Sequence, residues 1–374
     1  MGSSYNSNRK WQVIAALGVI WLCLYACTKD MAAPPNTDLV DPPMYSPVFF
    51  DPTLVPYDSL STYNFFEGNM ADQTPVYGVL PYEPITPLFA DYAHKHRFLW
   101  MPDSVSAQHD GDGNVFDFPD GTVLIKTFYY DRVLPNDETR ILETRLLYRI
   151  NGAWNFADYV WNADQTAATM DLSGSDVDLD WLDDNNQQRN VTFRIPSQAE
   201  CFTCHKKNLI PHPIGPKPQN LNKDLFYPEG PMNQLQKWEE FGYLSGGYPT
   251  NIETVVDWED TTEPLHDRVR AYVDMNCAHC HSDGSHCDYR VPRFAWSESS
   301  DSTHLGICVV PDEIPLPQYT HIVSKGNIPR SVMHFRLNST DETVRMPLLG
   351  RTIIHDEAVQ LIEQWITTLD PPCN

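Results

Sequence analysis

The chain has 374 residues, enough for two or three domains with real cores, and its 12% aromatic and 41% hydrophobic content is that of a folded protein rather than a disordered one. Its 50 acidic residues against 26 basic ones give a formal charge of -24. No Lys/Arg-rich run could follow a phosphate backbone, so no nucleic acid is expected as a partner; the acidity fits a solvated surface or the steering of a basic partner.

Residues 1–26 read as an export signal. Arg9 and Lys10 precede an apolar run over 13–24 that is too short to cross a bilayer comfortably, and Leu24-Tyr25-Ala26-Cys27 closes it. That ending resembles the lipobox of bacterial lipoproteins. It implies a lipid anchor on Cys27 and a place at the bacterial outer membrane, on the periplasmic or cell-surface side. Residues 27–74 are expected to form a tether, because Pro34, Pro35, Pro42, Pro43, Pro47, Pro52 and Pro56 stiffen and extend the chain.

Residues 75–198 read as a β-rich domain. Asp120-Gly121 and Asn151-Gly152 are hairpin dipeptides, and Thr144, Leu146, Tyr148 and Ile150 alternate with Glu143, Arg145, Leu147 and Arg149 at the period of a half-buried strand. The pattern predicts an antiparallel sheet, an acidic surface loop over 171–184 and a last strand over 191–195. That strand leads into Cys201-Phe202-Thr203-Cys204-His205, a C-x-x-C-H motif. In such a motif each thiol adds to one vinyl group of the same porphyrin, and the adjacent imidazole faces the iron. Residues 199–250 are the first haem-binding segment, with a short helix predicted over 233–241.

A second motif, Cys277-Ala278-His279-Cys280-His281, lies in the segment 260–374. Apolar spacing predicts a helix over 265–275 before it and another over 356–369, capped by Asp356, with Arg345-Met346-Pro347 between them. The two motifs predict two covalent c-type haems, held by Cys201, Cys204, Cys277 and Cys280, with His205 and His281 as axial ligands. Attachment outside the cytoplasm agrees with the export signal.

The order helix, C-x-x-C-H, Met-Pro loop, helix over 265–369 resembles a class I cytochrome c domain, which implies Met346 as the distal ligand. Most of residues 75–369 resembles a family of bacterial di-haem c-type cytochrome lipoproteins. The matching stretches are 88–93, 118–122 with Lys126, 143–147, 214–217, 233–235 and the two motifs. The expected fold class is therefore α+β multidomain, an N-terminal antiparallel β-rich domain followed by a mainly α-helical class I cytochrome c-like domain. The resemblance implies electron transfer but no substrate.

For the sixth ligand of the first iron, Met232, His212, His94, His96 and Met101 are candidates. A vacant position is the alternative, because a β-domain running into C-x-x-C-H is loosely similar to the gas-binding c′-β cytochromes. Cys287 and Cys308 are expected to pair, leaving Cys373 over. Arg290, Arg345 and Arg351 are candidates for haem propionates, and His279, His286 and Cys287 for a competing metal cluster. The expected function is transfer of single electrons between a membrane-associated donor and an unidentified acceptor, with redox proteins as partners. The alternative is a haem enzyme or gas-binding sensor with an open site at the first haem; a di-haem peroxidase fits less well, since the β-domain precedes both motifs.

Overall fold

The alternation around residues 143–150 is realised as an antiparallel meander in the computed structural model, which describes residues 45–373. Cys27, the export signal and the first part of the expected tether lie outside the described residues. Strands β1 (Leu80–Pro81), β2 (His94–Trp100), β3 (Val123–Val133), β4 (Glu138–Ile150), β5 (Ala153–Trp161) and β6 (Ala168–Met170) pair in chain order. A hairpin of β7 (Ser175–Leu182) and β8 (Gln188–Ile195) branches from the end of β3, where Val133 faces Trp181. Asn151 and Gly152 join β4 to β5 with φ of 54° and 74°, the left-handed pair a two-residue hairpin turn requires.

Two local expectations are corrected. Asp120-Gly121, expected to turn a hairpin between 115–118 and the run from Thr122, does not: residues 115–118 do not pair with β3, and Asp117 bridges Gln108 instead. The acidic stretch 171–184 contains β7, because Asp176, Asp178 and Asp180 point outward while Leu179 and Trp181 are buried at period two.

Each face of the sheet is covered. On one, Ile125, Leu146, Tyr148 and Tyr159 pack against Tyr57, Leu60, Tyr63, Phe65 and Phe66. The stretch 57–66 is therefore core and not tether, while Tyr45, Phe49 and Leu54 stay exposed: its buried aromatic side chains each gain roughly 1.5–3 kcal/mol, which outweighs the extended preference of the prolines. Tyr63 and Tyr159 share a buried hydroxyl contact of 3.0 Å. On the other face Leu99, Leu124 and Trp154 form one apolar cluster with Trp238, and Phe128, Tyr130, Leu142 and Phe193 belong to another.

Helices α1 (Gln198–Cys204), α2 (Pro218–Leu221), α3 (Gln234–Glu240), α4 (Leu265–Asn276), α5 (Val332–Leu337) and α6 (Asp356–Thr368) are all short. Strand makes up 26% and helix 18%, so the molecule is mostly β, and the expected α+β chain with a mainly α-helical cytochrome c-like domain is overturned. The C-terminal third contributes only α4, α5 and α6, of 12, 6 and 13 residues. Elsewhere it is punctuated by Pro292, Pro311, Pro315, Pro317 and Pro329, which remove backbone donors that longer helices would need. It does not stand apart: the chain from Tyr45 onward packs as one unit. In α4 and α6 the apolar stripes do meet as their spacing predicts, Val269, Tyr272 and Val273 sharing a cluster with Leu361, Ile362 and Trp365. The N-cap of α6 is His355, and Asp356 is its first helical residue.

The disulfide also differs from expectation. Cys308 pairs with Cys373, their Cα atoms 5.4 Å apart, and Cys287 is free and buried. The reason is local packing: the Cys308 amide donates to the Val323 carbonyl and the Lys325 amide to the Cys373 sulfur, so both cysteines flank one strip of chain. Among the described residues no helix is long and apolar enough to cross a membrane.

Candidate functional site

The first motif is carried on α1, whose start is fixed to the sheet. Ser197 accepts from the Glu200 amide and Glu200 accepts from the Ser197 amide, a reciprocal capping box. Arg194 at the end of β8 donates to Glu200 at 2.8 Å, and this contact holds the Glu200 carboxyl down to about 2. Past α1 the two-residue strands β9 (Lys206–Lys207) and β10 (Ile210–Pro211) fold the chain back on itself. His205 Nδ1 lies 3.1 Å from the His212 carbonyl oxygen. A carbonyl only accepts, so Nδ1 carries the proton and Nε2 keeps its lone pair. Burial pushes this imidazole down to about 3, so it stays neutral, as an iron ligand must be. The same hairpin sets His212 beside His205, not across a ring plane from it.

Under α1 the inner face of the sheet holds a row of charges. Arg97 on β2, Lys126 on β3, Arg145 on β4 and Asp158 on β5 stand opposite one another in register. Arg145 donates Nε and Nη2 to the two oxygens of Glu143, which is fully buried, and its Nε lies 3.8 Å from Asp158. Burial, reinforced by the neighbouring Glu143, pushes the Asp158 carboxyl well up. Burial, reinforced by Arg97, pushes Lys126 well down. The alternation of β4 places Glu143 and Arg145 on the polar side, which sequence reasoning reads as solvent. The missed signal is that Arg97, Lys126 and Arg145 recur on three successive strands, beyond what one solvated edge requires.

Arg145 and Asp158 line a cavity together with Cys201, Cys204, His205 and Phe156. Its volume is about 100 Å³, and its outer wall is Pro347, Leu349 and Gly350. Its lining contains no methionine, and His279 is the only imidazole there besides His205.

The second motif caps α4. Cys277 ends the helix, and the Asn276 side-chain oxygen accepts from the Phe89 amide at 2.8 Å, tying the motif to the loop before β2. Cys277, Cys280, His281 and Met346 line one cavity of about 310 Å³, with Arg290 and Arg336 also on its wall. Burial lowers His281 to about 4 and raises the Cys277 thiol to about 12. Nδ1 of His281 is buried with no hydrogen-bond partner, and so is Nδ1 of His279.

Met346 reaches this cavity because its backbone is pinned. Its amide donates to the Arg336 carbonyl, and Arg351, only 3% exposed, donates to the carbonyls of Met346, Arg336, Leu337, Ser339 and Ile353. The next residue, Thr352, is held by Asp91, whose carboxylate accepts from the Thr352 amide and hydroxyl and the Ile353 amide. Arg351 thus turns all three guanidinium nitrogens toward backbone carbonyls, and Arg345 reaches the Thr340 and Leu348 carbonyls and Glu342. Of the three arginines, Arg290 alone lines a cavity.

The proposed sixth ligands of the first iron are elsewhere. Met232 lies in a small hairpin formed by β11 (Asp224–Tyr227) and β12 (Gly230–Asn233) and lines neither cavity. Met101 is core, His94 lies 3.9 Å from Asp131 at the surface, and His96 packs on Tyr129. The metal-type cluster that forms is Cys204 with His279 and Cys280; His286 and Cys287 line the second cavity instead.

The donor set fits a covalently held porphyrin best at the second motif. Two half-buried thiols, a neutral imidazole and a thioether line one space within the roughly 300–1,000 Å³ of small-molecule sites. The first cavity has the thiols and the oriented imidazole but is narrower, and its Pro347–Gly350 wall would have to move outward. No protein-family model, no curated protein and no solved structure matches the chain.

Proposed function

We propose that the chain is an exported c-type cytochrome holding two haems and passing single electrons between redox protein partners. The observation that carries this reading is the gathering of Cys277, Cys280, His281 and Met346 on one cavity wall from two separate segments. Bound there, haem would supply a reversible one-electron iron couple. The residues do the rest: four cysteines would anchor, half-buried His205 and His281 present neutral nitrogens, and the Arg351 clamp fixes Met346. The net charge of -24 favours encounter with basic partners, and the anchor on Cys27 would keep the protein at the outer membrane facing a membrane-associated donor. In a pyridine haemochrome assay the exported protein should yield two haems per chain. Cys201→Ala/Cys204→Ala and Cys277→Ala/Cys280→Ala variants should each retain one, and a chain that carries none sinks the reading.

A second reading rests on the first cavity. With no methionine on its wall, and with His279 left unbound to it, the first iron would be open on one side, which suits a haem enzyme or gas-binding sensor fed with electrons by the second. Carbon monoxide added to the reduced protein should then shift the spectrum of one haem only. An unchanged spectrum rules out the open site.

A further inference from the structure

We propose that the two haem sites form one electronically coupled pair, joined where Cys204 of the first motif meets His279 and Cys280 of the second. The inference rests on the haem reading above and adds to it a relation that neither motif contains. The sulfurs of Cys204 and Cys280 and a ring nitrogen of His279 all lie within 4.8 Å of one another. The two cavities share a wall made of Cys204, His279, Pro347 and Leu349.

This meeting is built into the fold by contacts on both sides of it. The Asn208 amide, just past the first motif, donates to the Gly284 carbonyl, just past the second, at 2.7 Å. Gly284 has φ of +75°, and a Cβ there would lie 3.1 Å from the Asn208 backbone nitrogen, so glycine suits this close approach. On the other side Lys217 donates to Asp274 at 3.0 Å, and Asp274 also accepts from Gln219 and from the Trp296 amide. Asp274 is on the last turn of α4, one turn before Cys277, so the segment after the first motif is fastened directly to the helix that bears the second.

In each attachment the thiol would add across a vinyl group, its sulfur bonding to the substituent carbon next to the porphyrin rim and its proton going to the other vinyl carbon. Two such sulfurs in near contact bring the two rims together through the chain's own atoms, whatever the separation of the irons. An electron crossing the junction oxidises one site and reduces the other by one unit each, and no proton or atom moves with it. Close approach of two strong chromophores also mixes their optical transitions, which supplies a readout independent of turnover.

The test uses the exported holoprotein. Haem content is measured first: fewer than two haems per chain overturns the reading and this inference with it. With two haems confirmed, circular dichroism in the main haem absorption band should show a pair of lobes of opposite sign. The spectra of the two single-haem variants, added together, should lack that pair. A wild-type spectrum equal to their sum overturns the coupling while leaving the two-haem reading intact. Where a variant fails to fold, electron paramagnetic resonance of the wild type decides: the signal of the fully oxidised protein should be broadened, and the broadening should be lost when one haem is reduced. An unbroadened signal overturns the coupling.

Discussion

Replacing Arg145 with methionine is expected to cost about 3–5 kcal/mol of folding stability, the range for removing one partner of a buried ion pair. Glu143 is fully buried and Asp158 nearly so, and Arg145 is the cation between them. Methionine fills much of the space but leaves two carboxyls in a low-dielectric layer without their hydrogen-bonded cation, which raises the folded-state pKa of both. A carboxyl so raised holds its proton in the folded state and gives it up on unfolding, so stability falls as pH rises through that range. The deficit of the variant should therefore be largest at alkaline pH and shrink as the pH is lowered. Chemical denaturation curves of the two proteins across pH measure this. Arg145→Lys should fall between them, since an ammonium supplies the charge without the two-pronged fit. Adding Glu143→Gln to Arg145→Met should recover part of the loss. A single variant within about 1 kcal/mol of wild type, the scale of an exposed pair, would mean the row of charges is solvated.

Met346→Ala should change one haem and leave the other untouched. On the proposed reading, the thioether of Met346 is a soft ligand that favours the reduced iron, so its removal lowers one potential by on the order of 0.1 V, a fraction of the roughly 0.8 V that axial ligands span. The same haem should lose its methionine-to-iron absorption band. Failure to fold is not the expected explanation for such a change, because the loop is held by its backbone: Arg351 grips the Met346 carbonyl and Asp91 grips Thr352, and neither contact involves the lost side chain. Two unchanged potentials, determined by redox titration, would make Met346 a packing residue.

Both C-x-x-C-H motifs were legible in the sequence because their chemistry is confined to five neighbouring residues, and no fold is needed to see it. The meander was legible where alternation and a left-handed turn pair coincide, at Asn151-Gly152. The stripes of α4 and α6 were legible for the same reason: helix and strand periods are local. The reading failed where composition stood in for packing. A run of prolines suggested a tether over residues that bury five aromatic or aliphatic side chains against the sheet. A run of aspartates suggested a loop where they line the wet side of a strand. The order of helix, motif and Met-Pro loop suggested a helical domain where most of the backbone is irregular.

Sequence alone determined which residues stand at the spacing that covalent haem attachment requires, since two thiols and an imidazole within five residues need no fold to be seen. Tertiary structure decided everything that depends on distant chain meeting. It brought Met346 to the wall beside His281 but left Met232 in a remote hairpin, and it paired Cys308 with Cys373 instead of Cys287. It covered the polar side of β4, turning Arg145 and Glu143 from surface charges into a buried pair. It also set Cys204 against Cys280. Pairings of this kind are fixed by which surfaces can be buried together, a property of the whole chain that no local pattern encodes.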